Sequence, residues 1–143
     1  MGAGRGLILE PFVPTAFEFV EQLLDAAKLR AGEILLDIGS GDGRIVVAAA
    51  RRGIDATGIE LDASLVLIAR EWIKSAGVAA TIMHADYMAV PWSAFKVLTV
   101  SADVAKVLPL IREKFARDRC EGARLVALTG QQEGNAQIEV FRT

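Results

Sequence analysis

At 143 residues and 15.3 kDa the chain is the size of one domain and long enough to bury a single core. A hydrophobic fraction of 52% with 24% charged residues excludes a disordered or low-complexity scaffold. The 16 Lys and Arg against 18 Asp and Glu leave a net charge of −2, which argues against nucleic acid as a non-specifically gripped partner. One cysteine, Cys120, makes no internal disulfide, and one histidine, His84, builds no His-rich metal site. The composition predicts metal-free chemistry in a reducing compartment.

The longest apolar run of the first half, residues 45–50, falls far short of the roughly 20 residues of a membrane helix. Leu7-Ile8-Leu9 behind Arg5 is too short for a signal h-region, and Gly6 stands where a myristoylation signal needs Ser or Thr. The sequence therefore predicts a cytoplasmic chain without a membrane segment. Residues 1–143 read as a single domain with an N-terminal capping helix.

Pro11-Phe12-Val13-Pro14 is extended, because a residue before proline is pushed out of the helical region. Thr15 with Glu18 reads as a capping box, and Phe17, Val20, Leu24 and Ala27 follow at helical spacing over about 15 residues. Residues 34–38 form a buried strand, Gly39 to Gly43 a turn, and residues 45–52 a helix stopped at Gly53. Residues 56–60 are a second strand. Asp62 caps the next helix, whose inward stripe is Leu65, Ile68, Ala69, Trp72, Ile73 and Ala76, and Gly77 closes it. Residues 80–83 are a third strand, residues 85–93 a loop, and residues 97–100 a fourth strand. Pro109 either starts the following helix or kinks it. Residues 124–128 are a fifth strand, residues 131–136 a polar loop, and residues 138–141 a last strand that must return antiparallel. The alternation of strand and helix predicts an α/β fold: a mostly parallel sheet with one antiparallel C-terminal strand and helices on both faces.

The chemistry concentrates in Leu36-Asp37-Ile38-Gly39-Ser40-Gly41-Asp42-Gly43-Arg44. Glycines at the carboxyl edge of the first strand let a ligand approach the backbone. Glu60 ends the second strand about 20 residues later, where a carboxylate accepts both hydroxyls of a ribose. A dinucleotide and S-adenosyl-L-methionine both suit that layout. The dinucleotide fingerprint needs a third glycine, and Arg44 or Val46 stands there instead, whichever register is counted. Asp37, two positions before the first glycine, suits an ammonium and repels a pyrophosphate. The sulfonium nucleoside is the better match.

Asp-Ile-Gly-Ser-Gly-Asp-Gly-Arg followed by Gly-Ile-Glu-Leu-Asp resembles the class I S-adenosylmethionine-dependent methyltransferases. Pro11-Phe12-Val13-Pro14-Thr15 narrows the likeness to the small protein-lysine methyltransferases of archaea and their mitochondrial relatives, which carry a Pro-Tyr-Val-Pro-Thr element there. The resemblance covers about 100 residues and implies a Rossmann-like fold, methyl transfer to a protein lysine, and a set of cofactor contacts. Thr15 would bond the methionine end, Asp37, Gly39, Ser40 and Gly41 would cradle the methionine, and Glu60 would hold the ribose. Leu61 would cover one adenine face, and Asp86 with Tyr87 would meet the adenine edge. The chain departs from these relatives after the fourth strand, where Thr99-Val100-Ser101-Ala102-Asp103 replaces an aliphatic Leu-Leu-Pro-like segment, and in its short final hairpin.

No catalytic base is assigned; Asp103 is the only candidate by position. The alternative is a non-catalytic module that binds the same cofactor with a degraded acceptor site, and an NAD-dependent oxidoreductase fails on the third glycine. Gly43 and Arg44 read as helix-start geometry, and His84 as structural or solvent-facing. Cys120 reads as inert, Trp72 as core, and Trp92 with Phe95 as either cleft lining or packing. Arg112, Lys114, Arg117, Arg119 and Arg124 read as a solvated basic face. The last strand leaves an apolar edge, which predicts a homodimer or partner complex covering it.

Overall fold

The computed structural model describes residues 14–101, 104–118, 120–132 and 134–143. The elements are α1 (Phe17–Ala27), β1 (Ile34–Ile38), α2 (Arg44–Arg51), β2 (Asp55–Glu60), α3 (Ala63–Ala76), β3 (Ala80–His84), a 3-10 turn (Tyr87–Ala89), β4 (Val97–Val100), α4 (Val104–Asp118), β5 (Arg124–Gln132) and β6 (Asn135–Arg142). The six strands form one sheet in the order β3-β2-β1-β4-β5-β6. Every pairing is parallel except β5 with β6, as the short connection between them requires. The chain order reverses between β1 and β4, so their carboxyl ends open the crevice where such sheets bind ligands.

Alternation along each strand sorts the core into two layers. Leu35, Ala56, Val97 and Val126 face α1, α2 and α3, whose Leu23, Leu24, Val46, Ala69 and Ile73 complete that side. Leu36, Ile38, Leu98 and Leu125 face the other way, onto Ile111 and Phe115 of α4 and onto Trp92. Asp37 and Thr99 are register partners on β1 and β4 and share the α1–α3 side.

Several expectations are corrected here. Thr15 is not a helix cap: Ala16 occupies that position without a side-chain bond, and α1 ends sooner than predicted, with Lys28 left-handed at φ 49°. Its buried face is Phe19, Val20, Leu23, Leu24 and Ala27, leaving Phe17 58% exposed. In α3 the inward residues are Val66, Ala69 and Ile73, while Ile68 is exposed and Trp72 half-buried. Asp62 does cap α3, accepting from the Ser64 and Leu65 amides, and Gly77 closes it. Pro109 lies inside α4 rather than at its start. The final hairpin runs further than predicted, pairing from Arg124 with Arg142 to Gln132 with Asn135 across a register shift at Leu128/Gly130. Residues 11–13, Asp103 and Arg119 lie outside the described residues.

The basic face is also corrected. Lys114 is buried, paired with Asp118 at 2.8 Å and lying 4.9 Å over the Trp92 ring. Trp92 is itself buried, its indole donating to the Tyr87 carbonyl, so it packs beneath the loop rather than lining a cleft. Arg112 stacks on Phe141. Arg124 is buried at the amino end of β5, where it clamps Glu33 through both terminal nitrogens at 2.9 and 2.7 Å. It also donates to the Ala27 and Lys28 carbonyls that end α1.

The Arg124 hydrogen bond is the main cause holding the Glu33 carboxyl below its usual range, with burial opposing it. A lowered folded-state value means this stability is present above the unfolded value of about 4.5 and is lost as the pH falls through the folded one. Glu33→Gln should therefore cost about 1–3 kcal/mol in denaturant melts at about pH 7, because Arg124 keeps its charge and loses its anion. The gap between the variant and the parent should close in acid.

Candidate functional site at the carboxyl edge of the sheet

The turn from β1 to α2 sets one wall. Gly39, Gly41 and Gly43 have φ of 71°, 57° and 87°, values that side-chain-bearing residues rarely adopt. A Cβ at Gly39 would meet nothing within 4 Å, so bare backbone faces open space there. At Gly43 the reason is packing, since a Cβ would stand 3.0 Å from the Ala69 Cβ of α3. That agrees with the reading of Gly43 as helix-start geometry. The Ser40 amide donates to the Ile59 carbonyl at 2.9 Å, which carries the turn across β2. Ser40 crosses so close to Gly58 that a Cβ on Gly58 would lie 2.6 Å from the Ser40 Cβ and Oγ. The Ser40 hydroxyl is buried without a hydrogen-bond partner among the described residues.

Asp37 sits below that turn, 1% exposed, accepting at 2.8 Å from the Thr99 hydroxyl on the neighbouring strand. Burial pushes its carboxyl up to about 7; Thr99 opposes the shift and the Glu60 charge adds to it. No cation among the described residues contributes. Glu60 ends β2 with one oxygen accepting from the Gly41 amide at 2.8 Å and the other from the Asp62 amide at 2.9 Å. Both oxygens keep a second lone pair, so the carboxylate is oriented without being used up. Leu61 follows, 44% exposed, its carbonyl accepting from His84 Nε2 at 3.0 Å. The one histidine is thus structural, fixing the backbone beside Glu60.

Asp86 caps the 3-10 turn by accepting from the Met88 amide at 2.9 Å, and it is solvent-exposed. Half-buried Tyr87 packs against the α4-side core, and its phenol is shifted upward, first by burial and then by the charges of Asp86 and Glu60. The Ala85 amide donates to the Glu60 carbonyl and ties this loop to β2. Across the groove, Thr15 is 6% exposed and its hydroxyl donates to Ser101 at the end of β4, 3.3 Å away.

Asp37, Gly39, Gly41 and Glu60 thus stand together at the carboxyl edge of β1 and β2, with Thr15 bonded to Ser101 after β4, Leu61 after β2, and Asp86 and Tyr87 in the loop after β3. A buried carboxylate with no cation beside it, open glycine backbone and an oriented surface carboxylate fit a ligand that carries both an ammonium and a vicinal diol. Thr99 and Ser101 were missed by sequence reasoning. Their signal is two hydroxyl residues in and after an otherwise apolar strand, one of them at the register position of Asp37. A separate cavity of about 540 Å³ lies at the amino ends of the strands, lined by Lys28, Arg30, Lys96, Arg124 and Arg142, and shares no residue with the crevice.

The Asp37 carboxyl carries a raised folded-state value, so the folded protein binds more protons than the unfolded chain between about pH 4 and 7. Ligand-free stability should fall as the pH rises through that window and level off above it. Asp37→Asn should remove most of this slope and melt higher than the parent at about pH 8, by about 2–4 kcal/mol. Denaturant melts at about pH 5.5 and about pH 8 measure it.

A family model described as the ANTKMT methyltransferase domain matches residues 37–131, from Asp37 on β1 through most of β5. The chain is 35% identical over 119 residues to the adenine nucleotide translocase lysine N-methyltransferase of Mus musculus, spanning 82% of this chain and 52% of that protein. It therefore covers about half the length of the mouse relative. It is 30% identical over 136 residues to a protein-lysine N-methyltransferase of Saccharolobus islandicus, with 92% of this chain and 84% of the relative covered. Among solved structures, an RNA methyltransferase of Salinibacter ruber in complex with S-adenosyl-L-homocysteine superposes with a TM-score of 0.72. That pair is 34% identical, with 80% of this chain and 76% of that one covered. The crevice, the strand order that makes it and these matched spans lead to one assignment: the chain belongs to the ANTKMT methyltransferase domain family.

Proposed function

We propose that this chain binds S-adenosyl-L-methionine in the carboxyl-edge crevice and transfers its methyl group to a lysine side chain of a protein. The observation that carries the reading is buried Asp37, a carboxylate without a cation, set under open glycine backbone and one strand from Glu60. Asp37 with the Gly39-Ser40-Gly41 backbone and Thr15 would hold the amino-acid end, and Glu60 the ribose hydroxyls. Leu61 would lie against the adenine face, and Asp86 and Tyr87 at its edge. We propose residues 1–143 as one such domain, with α1 as its capping helix.

When bound, the sulfonium cofactor supplies an activated methyl group together with its own leaving group. The protein's part is orientation and exclusion of water. An acceptor lysine reacts only as the free amine, so its ammonium proton must leave first. The names of the mouse and archaeal relatives support a lysine acceptor, and the net charge of −2 fits a protein partner better than a phosphate backbone. Among the described residues no helix is long and apolar enough to cross a membrane.

Calorimetry with S-adenosyl-L-homocysteine should give one site per chain. Glu60→Ala should weaken it about 30- to 1000-fold, the worth of two charge-assisted hydrogen bonds. Affinity should rise between about pH 6 and 8 as Asp37 ionises, and be low and flat in Asp37→Asn. Radiolabelled methyl transfer should label the protein fraction of a cell extract. Label in the RNA fraction instead would move the acceptor to the class named for the Salinibacter ruber neighbour, and tight binding without any transfer would leave a non-catalytic module.

Among the described residues no strand pairs with the outer edge of β6, and its Val140 is 39% exposed. We propose that a second copy of the chain covers it. Sedimentation at low micromolar concentration should show a dimer that Val140→Lys converts to monomer; a monomeric parent would end that part of the reading.

A further inference from the structure

Arg44 reads from the sequence as helix-start geometry, and the structure gives it more to do. Its Nε and Nη2 donate to the two Asp42 oxygens at 3.1 and 2.6 Å, and its Nη1 donates to the Thr15 carbonyl at 2.8 Å. The guanidinium lies 4.7 Å from the centre of the Phe17 ring, which meets Trp72 of α3 edge-on at 6.0 Å. Arg44 and Asp42 are mostly covered, with side chains 17% and 15% exposed. The first turn of α1 holds Ala16 through the Phe19 and Val20 amides, but Ala16 adds no side-chain cap, and Thr15 lies one residue outside that turn. The Thr15 hydroxyl is instead committed across the crevice to Ser101.

We infer that Arg44 is a positioning residue for the cofactor crevice. It locks the strand-like approach of residues 14–16 and the Gly41-Asp42 turn to one planar group, so that two opposite walls keep one spacing. The inference rests on the crevice being the cofactor site, and it assigns Arg44 no contact with the cofactor itself. A guanidinium is required because three hydrogen bonds in one plane and a ring contact on its face exceed what a single ammonium can form.

A built-in control exists. Arg52 also joins α1 to α2, through Glu21 at 2.7 Å and Asp25 at 3.0 Å, but at the far end of α2 and in an exposed position. Calorimetry with S-adenosyl-L-homocysteine and thermal melts on Arg44→Lys, Asp42→Asn and Arg52→Gln test the inference. Arg44→Lys should bind at least about tenfold more weakly, about 1.4 kcal/mol. Asp42→Asn, a milder cut of the same bridge, should weaken binding in the same direction. Arg52→Gln should bind within about twofold of the parent even where its melting temperature falls as far. Parent-like affinity in both Arg44→Lys and Asp42→Asn would overturn the inference, as would equal weakening in Arg52→Gln. If the parent itself binds no S-adenosyl-L-homocysteine, the proposed function fails first.

Discussion

Between Ile38 and Arg44 the backbone leaves β1, passes over β2 and starts α2, and the passage over Gly58 has no spare room. The Ser40 amide bonds the Ile59 carbonyl, and any Cβ on Gly58 would sit 2.6 Å from the Ser40 side chain. A side chain there would lift the turn away from β2 and separate the Gly41 amide from Glu60. The same passage sets α2 against α3, because Gly43 brings the helix start to within 3.0 Å of Ala69 for a Cβ that glycine lacks. Helix packing on one face and crevice geometry at the edge are therefore consequences of one tight crossing. Tight packing transmits such a displacement instead of absorbing it.

Charge is divided by the same geometry. Asp42, Asp118 and Glu33 each meet a cation within 3 Å. Among the described residues, Asp37 and Glu60 instead accept from hydroxyl and amide groups. Glu60 tolerates this because it reaches solvent and two backbone donors. Asp37 does not, and its upward shift measures how poorly a buried carboxylate is served by one hydroxyl. Under the proposed function, the ammonium of the cofactor would supply the counter-charge that this buried group lacks.

Legibility from sequence followed locality. The glycine turn, Glu60, the Asp62 cap and Gly77 were readable because short-range stereochemistry determines them. The parallel sheet followed from the alternation of strand and helix, and the antiparallel return from the short last connection. What failed depends on partners distant in the chain. Thr15 and Glu18 carry the spacing of a capping box, yet Ser101, 86 residues away, takes the Thr15 hydroxyl. Lys114 and Arg124 look like a solvated face until Trp92, Asp118 and Glu33 fold over them. Trp72 reads as core by spacing, yet it stands half in solvent with the exposed Phe17 ring edge-on to it. At the carboxyl edge, the glycine turn and the positions of Asp37 and Glu60 were legible, whereas the hydrogen bond of Thr99 and those of Arg44 were not. Their meaning lies in register and in tertiary hydrogen bonds.

The two ends of the sheet show why stability and binding separate in this fold. At the amino ends, Arg124 is satisfied by Glu33 and two carbonyls that close α1, so the polar groups there are spent on holding the domain together. At the carboxyl ends, the Ser40 hydroxyl is buried without a partner among the described residues, and Asp37 is buried without a cation. Each costs folding free energy that the rest of the core must offset. An edge that satisfied all its own groups would have nothing to offer a ligand, since differential binding requires groups whose partners arrive with it. Parallel strands make the segregation natural: all their carboxyl ends emerge on one side, and the loops that follow can remain incompletely satisfied while the opposite end carries the clamps.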